Sequence, residues 1–198
     1  TELASAHFVN RDLDAAIVAA DRALAIDARH ADAFNIRGSA RLTKGDVDEA
    51  LADFTSAIAL DPRCATAIAN RGSLRARKGD LAGGIEDFGR AIELDPRVPE
   101  RWFNRGHARF SKGDLDEAIS DLSKAIELRP AFAQAFGVRG LARRKKGDLD
   151  AARADLRRAL ELGPRLPGTA EARKALAELE NAPKPDEDDD DDHMGPPR

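Results

Sequence analysis

Gly38, Gly72, Gly106 and Gly140 stand 34 residues apart, and this fixed period constrains the fold more tightly than any other feature of the chain. Two further ladders keep the same step. One is Lys44-Gly45-Asp46, Lys78-Gly79-Asp80, Lys112-Gly113-Asp114 and Lys146-Gly147-Asp148; the other is Pro62, Pro96, Pro130 and Pro164. Self-similarity at such a period means one supersecondary unit stacked repeatedly, each copy burying its apolar face against its neighbours. Four full units are expected over 31–64, 65–98, 99–132 and 133–166, preceded by a partial unit over 1–30 that contains Asn10-Arg11-Asp12.

Within a unit the apolar residues follow helical spacing. Leu51, Phe54, Ala57 and Ile58 recur at steps of three and four, which lines one face of a helix. Gly45 and its equivalents stop a first helix, with the preceding Lys well placed against the negative helix terminus. The following Asp starts a second helix as N-cap, and Asp46/Glu49 and Asp114/Glu117 have the spacing of a capping box. The prolines end that second helix. A β architecture is disfavoured, because the chain has no Tyr, one Trp and eight Phe, while 34% of its residues are charged.

These columns closely resemble the tetratricopeptide repeat family, which the notation of a 34-residue unit makes explicit. The family's large aromatic falls on Phe34, Ile68, Trp102 and Phe136, and its small residue near the start of the second helix on Ala50, Gly84, Ala118 and Ala152. Its second aromatic column reads Phe54, Phe88, Leu122 and Leu156, followed by Ala57, Ala91, Ala125 and Ala159. The match runs from about Thr1 to Leu166. The resemblance implies an all-α fold, a right-handed α-solenoid of stacked antiparallel helix hairpins, closed by a C-terminal capping helix over 167–181.

Two columns depart from the family pattern, in which Leu and Tyr are usual. Arg37, Arg71, Arg105 and Arg139 occupy one, and Arg41, Arg75, Arg109 and Arg143 the other, both on the inward stripe of the first helix. A buried arginine is costly unless paired. The second helix offers Asp53, Asp87, Asp121 and Asp155, so a clamp between the two helices of each unit is expected. Four acids do not neutralise eight bases, and one arginine column is therefore expected to turn outward.

Beyond the array, residues 182–198 carry seven consecutive acids, Asp186 to Asp192, beside Pro183 and Pro185, and are expected to form a disordered acidic tail. His193-Met194 resembles a cloning scar, which would make the last residues uninformative. The formal net charge of -4 comes from this end: residues 181–198 contribute -5, leaving 30 bases against 29 acids elsewhere. So balanced a body makes nucleic acid an unexpected partner. The longest apolar run, Ala15 to Ala20, is far below the roughly 18 residues of a membrane span, so no membrane insertion is expected. Thr1 opens directly into a helical pattern with no leader in view, and the one cysteine, Cys64, leaves the compartment open, with the cytoplasm weakly favoured.

Catalytic chemistry finds no support in these residues. His7, His30, His107 and His193 are scattered outside any ligand spacing, no phosphate-binding glycine loop occurs, and Cys64 has no histidine at a matching repeat position. No cofactor, metal or catalytic residue is expected, and the chain reads as a protein that is not an enzyme. In the resembled family the first helices form a concave surface. Carried onto this chain, that surface implies a peptide-binding groove of Asn35, Asn70, Arg77, Phe103, Asn104, His107, Phe110, Arg144 and Lys145. Family members that clamp the C-terminal carboxylate of chaperones use Lys, Asn and Arg at positions held here by Asn35, Ser39, Asn70, Glu100 and Asn104; only Asn70 matches and Glu100 reverses a charge. That clamp is not expected.

The function these features imply is a non-catalytic scaffold or adaptor for protein–protein interaction, gripping a peptide segment or protein surface; self-association is also open to it. An alternative is a self-regulated module in which the acidic tail covers the basic run Arg143-Arg144-Lys145-Lys146 and mimics a polyanionic partner.

Overall fold

The computed structural model describes residues 1–165 and 169–181; residues 166–168 and the acidic segment 182–198, including the expected tail, lie outside them. Helices α1 (Glu2–Val9) and α2 (Leu13–Ile26) form the partial first unit. Four hairpins follow: α3 (Ala31–Lys44) with α4 (Val47–Leu60), α5 (Ala65–Arg77) with α6 (Leu81–Leu94), α7 (Pro99–Lys112) with α8 (Leu115–Leu128), and α9 (Ala133–Lys146) with α10 (Leu149–Leu162). The last helix is α11 (Thr169–Asn181). Among the described residues there is no strand.

The turns follow from the two punctuation ladders. Gly45, Gly113 and Gly147 take left-handed φ of 97°, 98° and 86° at the ends of α3, α7 and α9, a backbone state that side-chain-bearing residues rarely adopt. The second helices stop at Leu60, Leu94, Leu128 and Leu162, two residues ahead of each proline. The capping boxes do not form. Asp46 and Asp114 stand at their N-caps without a side-chain cap bond, and the Asp114 carboxylate is turned instead to Lys112 Nζ at 2.7 Å. Side-chain capping is made by Asp12, which accepts from the Ala15 amide, and by Asp80, which accepts from the Gly83 amide.

Each hairpin closes on small residues. A Cβ built at Gly106 would lie 2.9 Å from Leu122 Cγ, so the two helices of that unit cross at a distance that only glycine permits. Around these crossings the second-helix column Phe54, Phe88, Leu122 and Leu156 is at most 1% exposed, with fully buried alanines between. Each second helix packs on the first helix of the next unit, α2 on α3, α4 on α5, α6 on α7 and α8 on α9; successive first helices also touch, whereas among the described residues no two second helices of neighbouring units meet. The stack therefore curves, with α3, α5, α7 and α9 on its inner side. At the far end Ala172, Ala175, Leu176 and Leu179 of α11 pack on Leu141, Ala152 and Leu156. No described helix is long and apolar enough to cross a membrane.

Candidate functional site

The inner face is held in place by the arginine columns. Arg105 donates to Asp121 through Nε at 2.9 Å and through one terminal nitrogen at 2.7 Å, a bidentate fork repeated by Arg71 on Asp87 and Arg139 on Asp155. The expectation that the second arginine column turns away from the acids is corrected. Arg41, Arg75, Arg109 and Arg143 each donate to the same aspartate, at 2.7 to 3.0 Å, so one carboxylate holds two guanidinium groups. Two oxygens with about four lone-pair sites suffice for this geometry, and the second arginine of each pair keeps the wetter position. The first-column guanidiniums also stack on the aromatics one turn earlier: Arg37 on Phe34, Arg105 on Trp102 and Arg139 on Phe136, at 5.0 to 5.4 Å.

Polar ties between units form two further ladders, neither of which was read from the sequence. Lys44 bonds Asp14 of the preceding unit, Lys78 bonds Asp48 and Lys146 bonds Asp116, at a constant separation of 30 residues. Arg37 reaches Asp21 and Arg139 reaches Ser123 in the same manner, 16 residues back. The second ladder has no rung between units 31–64 and 65–98, where Arg71 bonds only Asp87, and at the joint between units 65–98 and 99–132 both ladders fail. The equivalent positions are Ala82 and Gly89, which offer no acceptor, and Lys112 falls back on Asp114. That joint is fastened at its other end by Arg101, which donates to the carbonyls of Ala91 and Asp95.

Of the groove residues inferred from sequence, Asn35 and Asn70 lie on the inner face with weak contacts to Thr66 and Ser39, and the Asn35 carboxamide oxygen is buried without a hydrogen-bond partner. Phe103 is half-buried, its ring 4.9 Å from that of Phe132, with Arg129 stacked on the far ring and ion-paired to Glu100. Phe110 is half-buried under Lys145 Nζ, 4.5 Å from the ring centroid. Arg77, Asn104 and His107 converge on a crevice of about 250 Å³ between α5 and α7, which Ser73, Ser111 and Phe88 help to line. Crowding in the crevice lowers the His107 pKa by desolvating the charged ring, an effect that Glu171 opposes. Arg144 and Lys145 stand apart from this crevice, beside a second hollow of about 190 Å³ that α11 partly closes.

The basic run at the end of α9 is already partnered. Arg143 bonds Asp155, Arg144 pairs with Glu178 of α11 at 3.0 Å, Lys145 covers Phe110 and Lys146 bonds Asp116. Among the described residues no group of three or more His, Cys, Asp and Glu side chains could hold a metal ion.

Stacked helical hairpins with a curved inner face define an α-solenoid of the class that serves protein–protein interaction. The tetratricopeptide repeat model matches the chain in overlapping stretches, 1–65, 37–99, 69–135, 103–167 and 138–182, and the chain belongs to that family. Among solved structures, one of MamA protein is 26% identical over 83% of this chain and 90% of its own, with a TM-score of 0.73. YrrB, described as a tetratricopeptide repeat protein with an unusual peptide-binding site, is 24% identical over 86% of this chain and 88% of its own, with a TM-score of 0.74. A MamA structure from Desulfovibrio magneticus RS-1 is 16% identical over 84% of this chain and 94% of its own, with a TM-score of 0.74. No curated protein matches the sequence.

Proposed function

We propose that this chain is a non-catalytic scaffold that holds an extended peptide segment of a partner protein along the inner side of α3, α5, α7 and α9. The observation that carries this reading is the set of hydrogen-bonding groups left unused there. Asn104, His107 and Arg77 make no hydrogen bond within the described residues, whereas the eight arginines beneath them are all committed to aspartates. An extended backbone needs donors and acceptors along its length, which amide side chains on a rigid helical face supply. The description of YrrB as peptide-binding supports the same use of this fold.

Peptides selected from a random phage-displayed library test the reading. Asn104→Ala is expected to lower their affinity about tenfold, or 1.4 kcal/mol. Lys124→Ala, on α8, should leave it unchanged. Asn104 is a cleaner probe than Phe103, whose ring packs on Phe132 and whose loss would also disturb the core. Equal affinities for Asn104→Ala, Lys124→Ala and the parent protein would remove the inner face from consideration.

A further inference from the structure

We propose that the crevice between α5 and α7 receives the acidic side chain, Asp or Glu, of a partner's extended segment. The inference rests on the peptide-binding reading and specifies its chemistry.

The size of the crevice sets the class of occupant. About 250 Å³ falls below the roughly 300–1,000 Å³ of sites that enclose small molecules, and is suited to a single side chain reaching in from a bound strand. Its chemistry sets the sign. No acidic residue lines it, while Arg77 contributes a guanidinium without a carboxylate partner, and the Asn104 amide, the Ser111 hydroxyl and the His107 ring add unused N–H and O–H donors. Beneath them Phe88 is 1% exposed, an apolar floor for the methylenes of the entering side chain that also strengthens charge-assisted bonds above it.

The repeat pattern supplies an independent observation. At the other three joints of the array, Asp14, Asp48 or Asp116 sits at the start of the second helix and ties down the lysine of the next unit. At this joint that residue is Ala82, next in sequence to Leu81 of the crevice wall, and Lys112 pairs with Asp114 of its own unit; the carboxylate that does cross the joint, Asp95 on Arg101, lies at its other end and does not line the crevice. The crevice thus lies at the one joint between described repeat units that lacks this lysine–aspartate tie, and the chain supplies no acid to its wall, which leaves Arg77 open to a carboxylate from a partner. The occupant is an internal acidic residue, since the positions that clamp a terminal carboxylate elsewhere in the family are occupied here by Asn35, Ser39 and Glu100.

The test uses the full chain and the library peptides of the previous section, synthesised with amidated C-termini so that only side chains carry a carboxylate. The selected peptides should be enriched in Asp or Glu. Replacing that residue by its amide should weaken binding about tenfold, and Arg77→Gln should weaken the acidic peptide to the same degree while leaving its amide form unaffected. Arg97→Gln, an exposed arginine in the loop before α7, controls for the change in overall charge and should have no effect. Peptides that bind through Asn104 but are indifferent to the acid or to Arg77 would overturn this inference and leave the groove standing. Failure of the library to give any binder would sink both. A tenfold gain on removing residues 182–198 would identify the occupant as the chain's own acidic run and overturn the assignment to a partner.

Discussion

Asp121 accepts two hydrogen bonds from Arg105 and one from Arg109 while only 3% of its side chain is exposed. Taking one arginine away leaves a desolvated carboxylate short of partners, and the cost of an unmatched buried polar group is ~1–3 kcal/mol. Arg105→Ala is therefore expected to lower stability by that amount in denaturant unfolding, and Arg109→Ala by less, since Arg109 makes one bond from a wetter position. A variant that unfolds with the parent protein would show that the fork contributes nothing to the hairpin. The pairing was legible in the sequence because Arg and Asp recur in register, 16 residues apart in every unit. The sharing of one carboxylate by two arginines was not, because a count of charges assumes one partner each and takes no account of the two oxygens an aspartate presents. The unused donors at Arg77, Asn104 and His107 were legible only as types of residue at inner positions; that nothing else in the chain consumes them depends on how far each side chain reaches.

At the scale of elements, the joint between α6 and α7 departs from its neighbours through Ala82, which removes the lysine tie the other joints keep, and Gly89 leaves it without the arginine tie as well. The ladders they interrupt could have been found by comparing columns 30 and 16 residues apart, but the contacts run between units, and helix periodicity speaks only for the helix that carries it. Capping is not settled by spacing either: Asp46, Asp114 and Asp148 all stand at N-caps without a side-chain cap bond, Asp46 and Asp148 although Lys44 and Lys146 are tied across their joints, while the Asp114 carboxylate is held by Lys112. Ala82→Asp is expected to restore the missing tie. A surface ion pair contributes ~0.2–1 kcal/mol and an acid in the first turn of α6 a similar amount through the helix dipole, so the melting temperature should rise by a few degrees at low salt. Repeating the substitution with Lys112→Ala separates the two effects. If the gain is the same without the lysine, it is the dipole alone, and the joint is not fastened through Lys112.

At the scale of the whole molecule, the two ends of the stack are unlike. The first unit leaves Leu3 58% and Val18 48% exposed, while α11 covers the last hairpin with Leu176 and Leu179, each less than 10% exposed. Burying a leucine is worth roughly 1.5–3 kcal/mol, and Arg153 and Arg157 add bonds to the Leu179 carbonyl and the Glu180 carboxylate. In a linear array each unit is stabilised only by its neighbours, so α11 acts for unit 133–166 as a fifth hairpin would. A chain ending at Pro164 should expose Leu141 and Leu156, now 9% and 0% exposed, and lose the protection of α9 and α10 in amide hydrogen exchange before that of α3 to α8. The proper reference is a chain ending at Asn181, which lacks the acidic run but keeps α11 and should exchange like the full-length protein. Uniform protection in the shorter chain would mean that the array unfolds as one cooperative block and that α11 does not stabilise its end.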